Sequence, residues 1–387
     1  MNAKERIITA LRGRQPDAVP VTPGLSEMVP VRKSGLTYIE FFWRERRDFV
    51  RARCDTEKAF GADVFLHADV GPSPHDPEVT TEVVKDSADE VIYREVIHTP
   101  KGDLANLLRI TPTESIAMFE GFVKDPATDR DKVLALLAHP EGKDAAPYVA
   151  AHRYVGDAGH CGYWLSTPVD WWSHLRGGPE RMIFDLVDHP ALMHDLFVAY
   201  TNYAVAFMAD FLAKHAAITD SIGLDGSTTS MSVLSPAHLE KYTLPFVRAI
   251  KGVTAKFDVP IQYHMCGRSR EAIPLLVQAG VDGMDALERP PTGNVDLAEV
   301  KRLFGRQISL SGNVHSIEVM LHGAPADVER DVIRCMDSAK EGGGFILTVG
   351  DQTPYHAPDD NIFALVEAGR KYGVYSKTGA PPPRMAS

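Results

Sequence analysis

Pro260-Ile-Gln-Tyr-His264-Met-Cys266-Gly267 reads as a short buried strand that delivers two metal-type side chains just before a glycine. Side chains alternate faces along a strand, so positions two apart share one face. His264 and Cys266 therefore point the same way at the strand's C-terminal end. An imidazole nitrogen with a thiolate sulfur suits zinc. A histidine near a cysteine is also ordinary core packing, so the surrounding chain has to decide between them.

Outward from this strand the pattern repeats. Short apolar strands are predicted at 18–21, 62–67, 148–154, 221–224, 260–266, 284–287, 308–311 and 345–349, with helical periodicity in most of the intervals between them. Gly13 with Pro16, Gly280 and Gly305 stop the helices ahead of them. Strands and helices alternating eight times predict an α/β protein of the (β/α)8 TIM-barrel class. The strand ends carry Glu27, His67, Tyr154, Asp225, His264 with Cys266, Glu288, Asn313 and Asp351. In such a barrel the C-terminal ends of the strands build the active site. That loops are polar in any protein accounts for some of these residues, but less well for acids, His and Cys at most of the strand ends.

One region departs from the alternation. Residues 81–85, 91–98 and 103–110 alternate apolar and polar side chains, with the turn Thr99-Pro-Lys-Gly102 between the last two. This predicts an antiparallel β-meander inserted after the second strand, over residues 75–125. Residues 1–377 then make one barrel domain, and 378–387, with Pro381-Pro-Pro383, a disordered tail. Residues 161–172 read as an aromatic loop containing Tyr163, Trp164, Trp171 and Trp172.

Composition narrows the function classes. Of the 387 residues, 44% are hydrophobic and 24% charged, enough for a large core. A net charge of −11 argues against nucleic acid or an anionic membrane as partner. The four cysteines, at 54, 161, 266 and 335, form no disulfide framework, which points to a reducing, cytoplasmic setting. The N-terminus reads as an amphipathic helix instead of a signal sequence, and no apolar run approaches the roughly 20 residues of a membrane span.

Several stretches together resemble the uroporphyrinogen decarboxylase superfamily. They are Lys4-Glu-Arg-Ile-Ile-Thr-Ala-Leu-Arg-Gly13 with Val19-Pro-Val21, Leu234-Ser-Pro-Ala-His238 with Leu244-Pro245, His264-Met-Cys-Gly267, Ala279-Gly-Val-Asp282, Ser311-Gly-Asn-Val314 and Gly343-Gly-Phe-Ile-Leu347. The resemblance implies that family's barrel and one of two chemistries. True decarboxylases carry an Arg-Gln-Ala-Gly-Arg motif after the first strand. Here that region is Thr22-Pro-Gly-Leu-Ser-Glu-Met28, without the arginines and with Glu27 set to repel a polyanionic tetrapyrrole. The other branch holds the zinc methyltransferases that work with corrinoid proteins, such as the methylcobamide:coenzyme M methyltransferases. Their zinc motif, His-x-Cys with a second Cys at the end of the eighth strand, matches His264 and Cys266, but Asp351 stands at the late position.

The resemblance with this departure implies Zn²⁺ held by His264, Cys266 and Asp351, with Glu288 as an exchangeable fourth ligand. Aspartate for cysteine makes the site harder and favours oxygen over sulfur. The expected reaction is transfer of a methyl group between a small substrate, an O-methyl ether with aromatic ethers included, and the cobalt of a separate corrinoid protein, with the demethylase direction favoured. No cobalt-ligand Asp-x-His-x-x-Gly motif occurs in the chain itself. Asp225, Glu288 and His67 are the candidate catalytic groups, with His315 a second candidate proton donor. Asn313 and His315 are assigned to the corrinoid side, and Trp164, Trp171, Trp172, Tyr154 and Glu27 to the substrate. A homodimer is the candidate assembly. Other readings stay open: a thiol-methylating enzyme of the coenzyme M type, a uroporphyrinogen decarboxylase-like lyase, and a metal-free corrinoid- or tetrapyrrole-binding protein.

Overall fold

Ile261 and Tyr263 are fully buried on the outer face of the strand Ile261–His264, and Gln262 and His264 face inward. That alternation is shared by the neighbouring strands and sets the architecture. In the computed structural model, which describes residues 1–375, seven strands form one parallel sheet. In order they are Val64–Ala68, Gly159–Ser166, Ile222–Asp225, Ile261–His264, Gly283–Asp285, Ser309–Val314 and Phe345–Val349. The spatial order equals the chain order, and every adjacent pair is parallel. Parallel neighbours need a crossover, and helices supply it on the outer face.

An eighth segment lies between the two edges of this curled sheet. Leu347 N–H donates to the Pro20 carbonyl at 2.9 Å, and Thr22 N–H to the Leu347 carbonyl at 2.9 Å. On the other side Asp63 N–H donates to the Val21 carbonyl at 2.9 Å. The Asp63 carboxylate accepts from Val21 N–H, Arg6 and Arg370, so one buried acid ties this segment to the first and last helices. The pairing with Val64–Ala68 stops there. Beyond it, side chains from helix Phe49–Ala59 take the place of a strand: Phe65 N–H donates to Glu57, and Arg53 donates to the Phe65 carbonyl.

Two predicted elements are corrected. Residues 148–154 are not a strand but part of helix Ala146–Val155, whose Tyr148, Ala151 and Val155 are buried at helical spacing. The strand of that crossover is Gly159–Ser166, which overlaps the stretch 161–172 read as an aromatic loop, and most of the remainder of that stretch belongs to helix Pro168–Arg176. The long helix Pro190–His215 also overturns the reading that no segment is apolar and long enough for a membrane. By length and composition it is, but Leu196, Tyr200, Ala204, Phe207 and Phe211 bury a stripe of it in the core.

The antiparallel region is a five-stranded sheet made of Glu78–Asp86, Val91–Thr99, Gly102–Ala105, Leu107–Ile110 and Ala117–Glu120. Its strand Glu78–Asp86 is exposed along nearly its whole length. Tyr93, Leu108 and Ile110 pack it against Val31, Tyr38 and Phe41 of the preceding helical region. The tail predicted at 378–387 lies outside the described residues.

Candidate active site

The inward faces of the strands leave a cavity of about 410 Å³ at their C-terminal ends. Glycines make the room for it. A Cβ at Gly162 would meet His67 and His160, and one at Gly223 would meet Trp164 and His67. Two missing side chains thus let three rings stand inside the sheet. Four ring centroids along this wall run from Phe65 to His67 at 5.4 Å, on to Trp164 at 4.7 Å, and to His264 at 5.6 Å. The wall opposite is polar and small, with Thr22, Ser26, Ser311 and Thr348. Gln262 donates to Ser311 at 3.2 Å and leaves its own carbonyl oxygen without a partner.

His264 is the electrostatic centre. Its Nδ1 lies 3.3 Å from Asp285 and its Nε2 lies 3.9 Å from Asp351. Burial alone would lower its pKa. Asp285, by charge and hydrogen bond, then Cys266 within hydrogen-bonding reach and Asp225 outweigh that and hold it well above the usual imidazole range. Asp351 moves up because it is buried, against the opposing pull of His264. Burial pushes Asp69, also in the cavity lining, up as well. His67 is driven well below its ordinary value, first by burial and then by His160, Arg53 and His264, so it is a neutral ring at pH 7. Its Nε2 is buried without a partner.

The sequence-predicted residues divide cleanly by position. His67, Trp164, Asp225, His264 and Asp351 line the cavity. Cys266 adjoins His264, and Glu288 lies just behind, where its carboxylate accepts from Gly267 N–H. Glu27 opens helix Met28–Ser34 at the rim, bonded by Ser26 and close enough to raise Asp351.

Tyr154 is far from this cluster in role. It sits on a helix, donates to Asp55 at 2.7 Å and has Arg51 and Lys58 over its ring. Trp172 is fully buried, its indole N–H on Asp185 at 2.8 Å, and Trp171 stacks on Tyr200 at 4.5 Å. Asn313 points to the helical layer, donating to the Leu287 carbonyl and accepting from Arg334. His315 caps the turn Ser316–Leu321 through its Nδ1. None of these five lines the cavity.

Strand-end reasoning missed Asp285, because residues 284–287 were read as strand and the strand ends at Asp285. It also missed Arg53 and Glu57, which come from a helix, and Gln262, which sits one register step inside His264. The signal for Gln262 was present, since it shares a face with His264 by the same alternation.

Comparison with known proteins now gives the family. The model for uroporphyrinogen decarboxylase (URO-D) matches residues 164–372, more than half of the chain. The chain belongs to the URO-D family. Among individual relatives, it is 27% identical over 252 residues to the methylcobamide:CoM methyltransferase MtbA of Methanosarcina mazei, covering 62% of each chain. It is 26% identical over 189 residues to the uroporphyrinogen decarboxylase of Xylella fastidiosa, covering 46% of this chain and 49% of that one. The chain thus spans about three fifths or less of the length of the curated relatives it matches. A solved methyltransferase from Methanosarcina mazei shares the fold, with a TM-score of 0.64 at 15% identity over 96% of this chain and 99% of that one.

The donor set is a nitrogen, a thiol and a carboxylate, suited to zinc. Two donors each about 2.0–2.1 Å from a tetrahedral ion lie roughly 3.3 Å apart, and the 3.9 Å between His264 and Asp351 is within a small side-chain shift of that. Asp285 on the opposite ring nitrogen is the carboxylate that orients a metal-bound histidine. Among the described residues no three His, Cys, Asp or Glu side chains yet converge tightly enough to enclose an ion. The donor chemistry fits zinc, and the described side chains do not enclose an ion.

Proposed function

We propose that the protein is a zinc-dependent methyltransferase that moves a methyl group between a small O-methyl substrate and the cobalt of a separate corrinoid protein. The same reading takes the seven strands and Val19–Thr22 as the eight staves of a (β/α)8 barrel, with the antiparallel sheet as an insertion. One observation carries it: His264 and Asp351 line one end of an aromatic-walled cavity 3.9 Å apart, with Cys266 beside His264 and Asp285 3.3 Å from its other ring nitrogen. The methyltransferase relatives support the reaction class, and the absence of an arginine pair after the first strand speaks against a tetrapyrrole.

His264, Cys266 and Asp351 would hold the ion, with Glu288 behind them. Bound there, zinc acts as a Lewis acid on the oxygen that leaves when the methyl group departs. The protein's own part is position and dryness. Trp164 and Phe65 offer an apolar face to an aryl ring, and the buried strands exclude bulk water from the reacting end. Asp285 fixes the ring orientation of His264. Asp225, held by Ser227 N–H and Oγ, is placed to accept or return a proton beside His264.

The test is zinc stoichiometry on wild type, Cys266→Ala and Asp351→Ala, followed by methoxylated aromatics with a cob(I)alamin acceptor. About one zinc per chain, lost in both variants, with demethylation only in wild type, is the expected result. No zinc in wild type after it is offered sinks the reading.

A further inference from the structure

We propose that Arg53 is the anion-binding end of the cavity, so that the methylated substrate is one carrying a carboxylate, held there while its methyl group faces His264. The identity of the reacting end rests on the methyl-transfer reading. The anion subsite stands on separate observations.

Arg53 is the only lysine or arginine lining the cavity among the described residues. It reaches the interior because the sheet is open at one seam. Between Val19–Thr22 and Val64–Ala68 the ladder stops after Asp63, and helix Phe49–Ala59 feeds Arg53 and Glu57 through the gap. The guanidinium is locked in place. Its Nε donates to Glu57 Oε1 at 3.1 Å and its Nη2 to the Phe65 carbonyl at 2.7 Å, and no hydrogen bond among the described residues takes its Nη1. A planar, fixed fork with free donors is suited to a carboxylate.

The rest of the cavity fixes which way round such a substrate lies. Phe65, whose carbonyl Arg53 grips, begins the run of rings that ends on His264. A substrate lying along that wall has Arg53 toward one end and His264 toward the other. The buried, unpartnered Nε2 of His67 lies on the path between them and offers a hydrogen-bonding group to the ligand. Asp225, Asp285 and Asp351 gather at the His264 end and repel an anion there. Orientation is thus set by Arg53 at one end and, at the other, by three acidic side chains that outnumber the single imidazole. Glu57 competes for Arg53, which keeps the attraction moderate and makes the prediction specific.

The competing reading is that the pair only caps the edge of Val64–Ala68. Calorimetric titration with benzoate and its neutral isostere benzamide separates the two, run with EDTA present so that no metal can hold the carboxylate. Wild type is expected to bind benzoate at least tenfold more tightly than benzamide. Arg53→Gln should erase that preference and leave benzamide binding unchanged. Glu57→Gln removes the competitor and should widen the preference severalfold, an effect that a purely structural pair does not produce. It also keeps the test decisive if Arg53→Gln does not fold. Equal binding of the two probes to wild type, no binding of either, a preference that survives Arg53→Gln, or no widening in Glu57→Gln overturns the proposal. Because zinc is chelated throughout, failure of the zinc reading leaves this result intact, and the reverse also holds.

Discussion

Gly223→Ala should deform the aromatic wall, and the clash can be sized from the structure. Gly223 faces inward between Ile222 and Leu224, both fully buried outward. A Cβ there would lie 2.4 Å from Trp164 Cε3, 2.7 Å from Cζ3 and 2.8 Å from His67 Nε2. Carbon atoms rest about 3.5–4.0 Å apart, so the indole must retreat by roughly 1 Å. Overpacking of this kind costs about 1–3 kcal/mol. Trp164 borders the cavity and has somewhere to go, which favours the lower end of that range. Against it stands a gain of about 0.4–1 kcal/mol from a less flexible unfolded chain. The net single-site effect is therefore small, about 0.5 kcal/mol or less, and the informative quantity is the coupling. Urea unfolding of wild type, Gly223→Ala, Trp164→Leu and the double variant should show the double variant about 1 kcal/mol more stable than the sum of the singles. The indole moves into the space an aryl ligand would fill, so affinity for an aryl probe should fall about tenfold in Gly223→Ala. Additive stabilities together with unchanged affinity would refute the argument that this glycine exists to seat the wall.

Three further outcomes follow from the same geometry. His160 stacks on Phe65 at 4.3 Å and bonds Ser221 at 2.7 Å, and burial lowers its pKa to about 4. The unfolded chain takes up that proton first, so the stability it contributes is present above about pH 6.5 and lost as pH falls toward 4, about 2–3 kcal/mol by pH 4.5. Urea midpoints that stay level from pH 7 to 4.5 would contradict this. Asp285→Asn should leave the fold intact but weaken zinc binding about 10- to 100-fold, read by competition with a chromophoric chelator, because it removes the carboxylate that orients His264. Trp172→Phe should cost about 2–4 kcal/mol in thermal or urea unfolding through lost packing and the lost bond to buried Asp185, while ligand affinity at the cavity stays unchanged.

What the sequence made legible depended on which face of a strand carried the signal. The last strand was read at its observed bounds, Phe345–Val349, because its outward residues are Phe, Leu and Val and bury fully against helices. The strand Gly159–Ser166 was missed because its information faces inward. His160, Gly162 and Trp164 are polar, absent or aromatic for the cavity's sake, and Gly159 is where a Cβ would collide with the Val64 carbonyl. Apolar periodicity cannot report a strand whose composition is set by ligand space and close backbone approach. The neighbouring helix Ala146–Val155 was mistaken for a strand over a short apolar run, although Pro147 near its start and the spacing of Tyr148, Ala151 and Val155 favour a helix.

The same logic explains the site. His264, Asp225 and Asp351 were legible because strand ends converge in any parallel sheet of this kind, so one-dimensional position implied three-dimensional proximity. Tyr154 came from a predicted strand and Trp171 and Trp172 from a predicted loop, both of which are helices that keep these side chains out of the cavity lining. Arg53 could not be found that way at all. It enters through a gap in hydrogen bonding between two segments 40 residues apart in the chain, and nothing local in Phe49–Ala59 announces that the ladder beside it will stop at Asp63. A residue whose function comes from an absent strand contact can be seen only after the sheet has been drawn, which is why the cavity's arginine emerges from the fold while Asp225 and Asp351 were legible in the sequence.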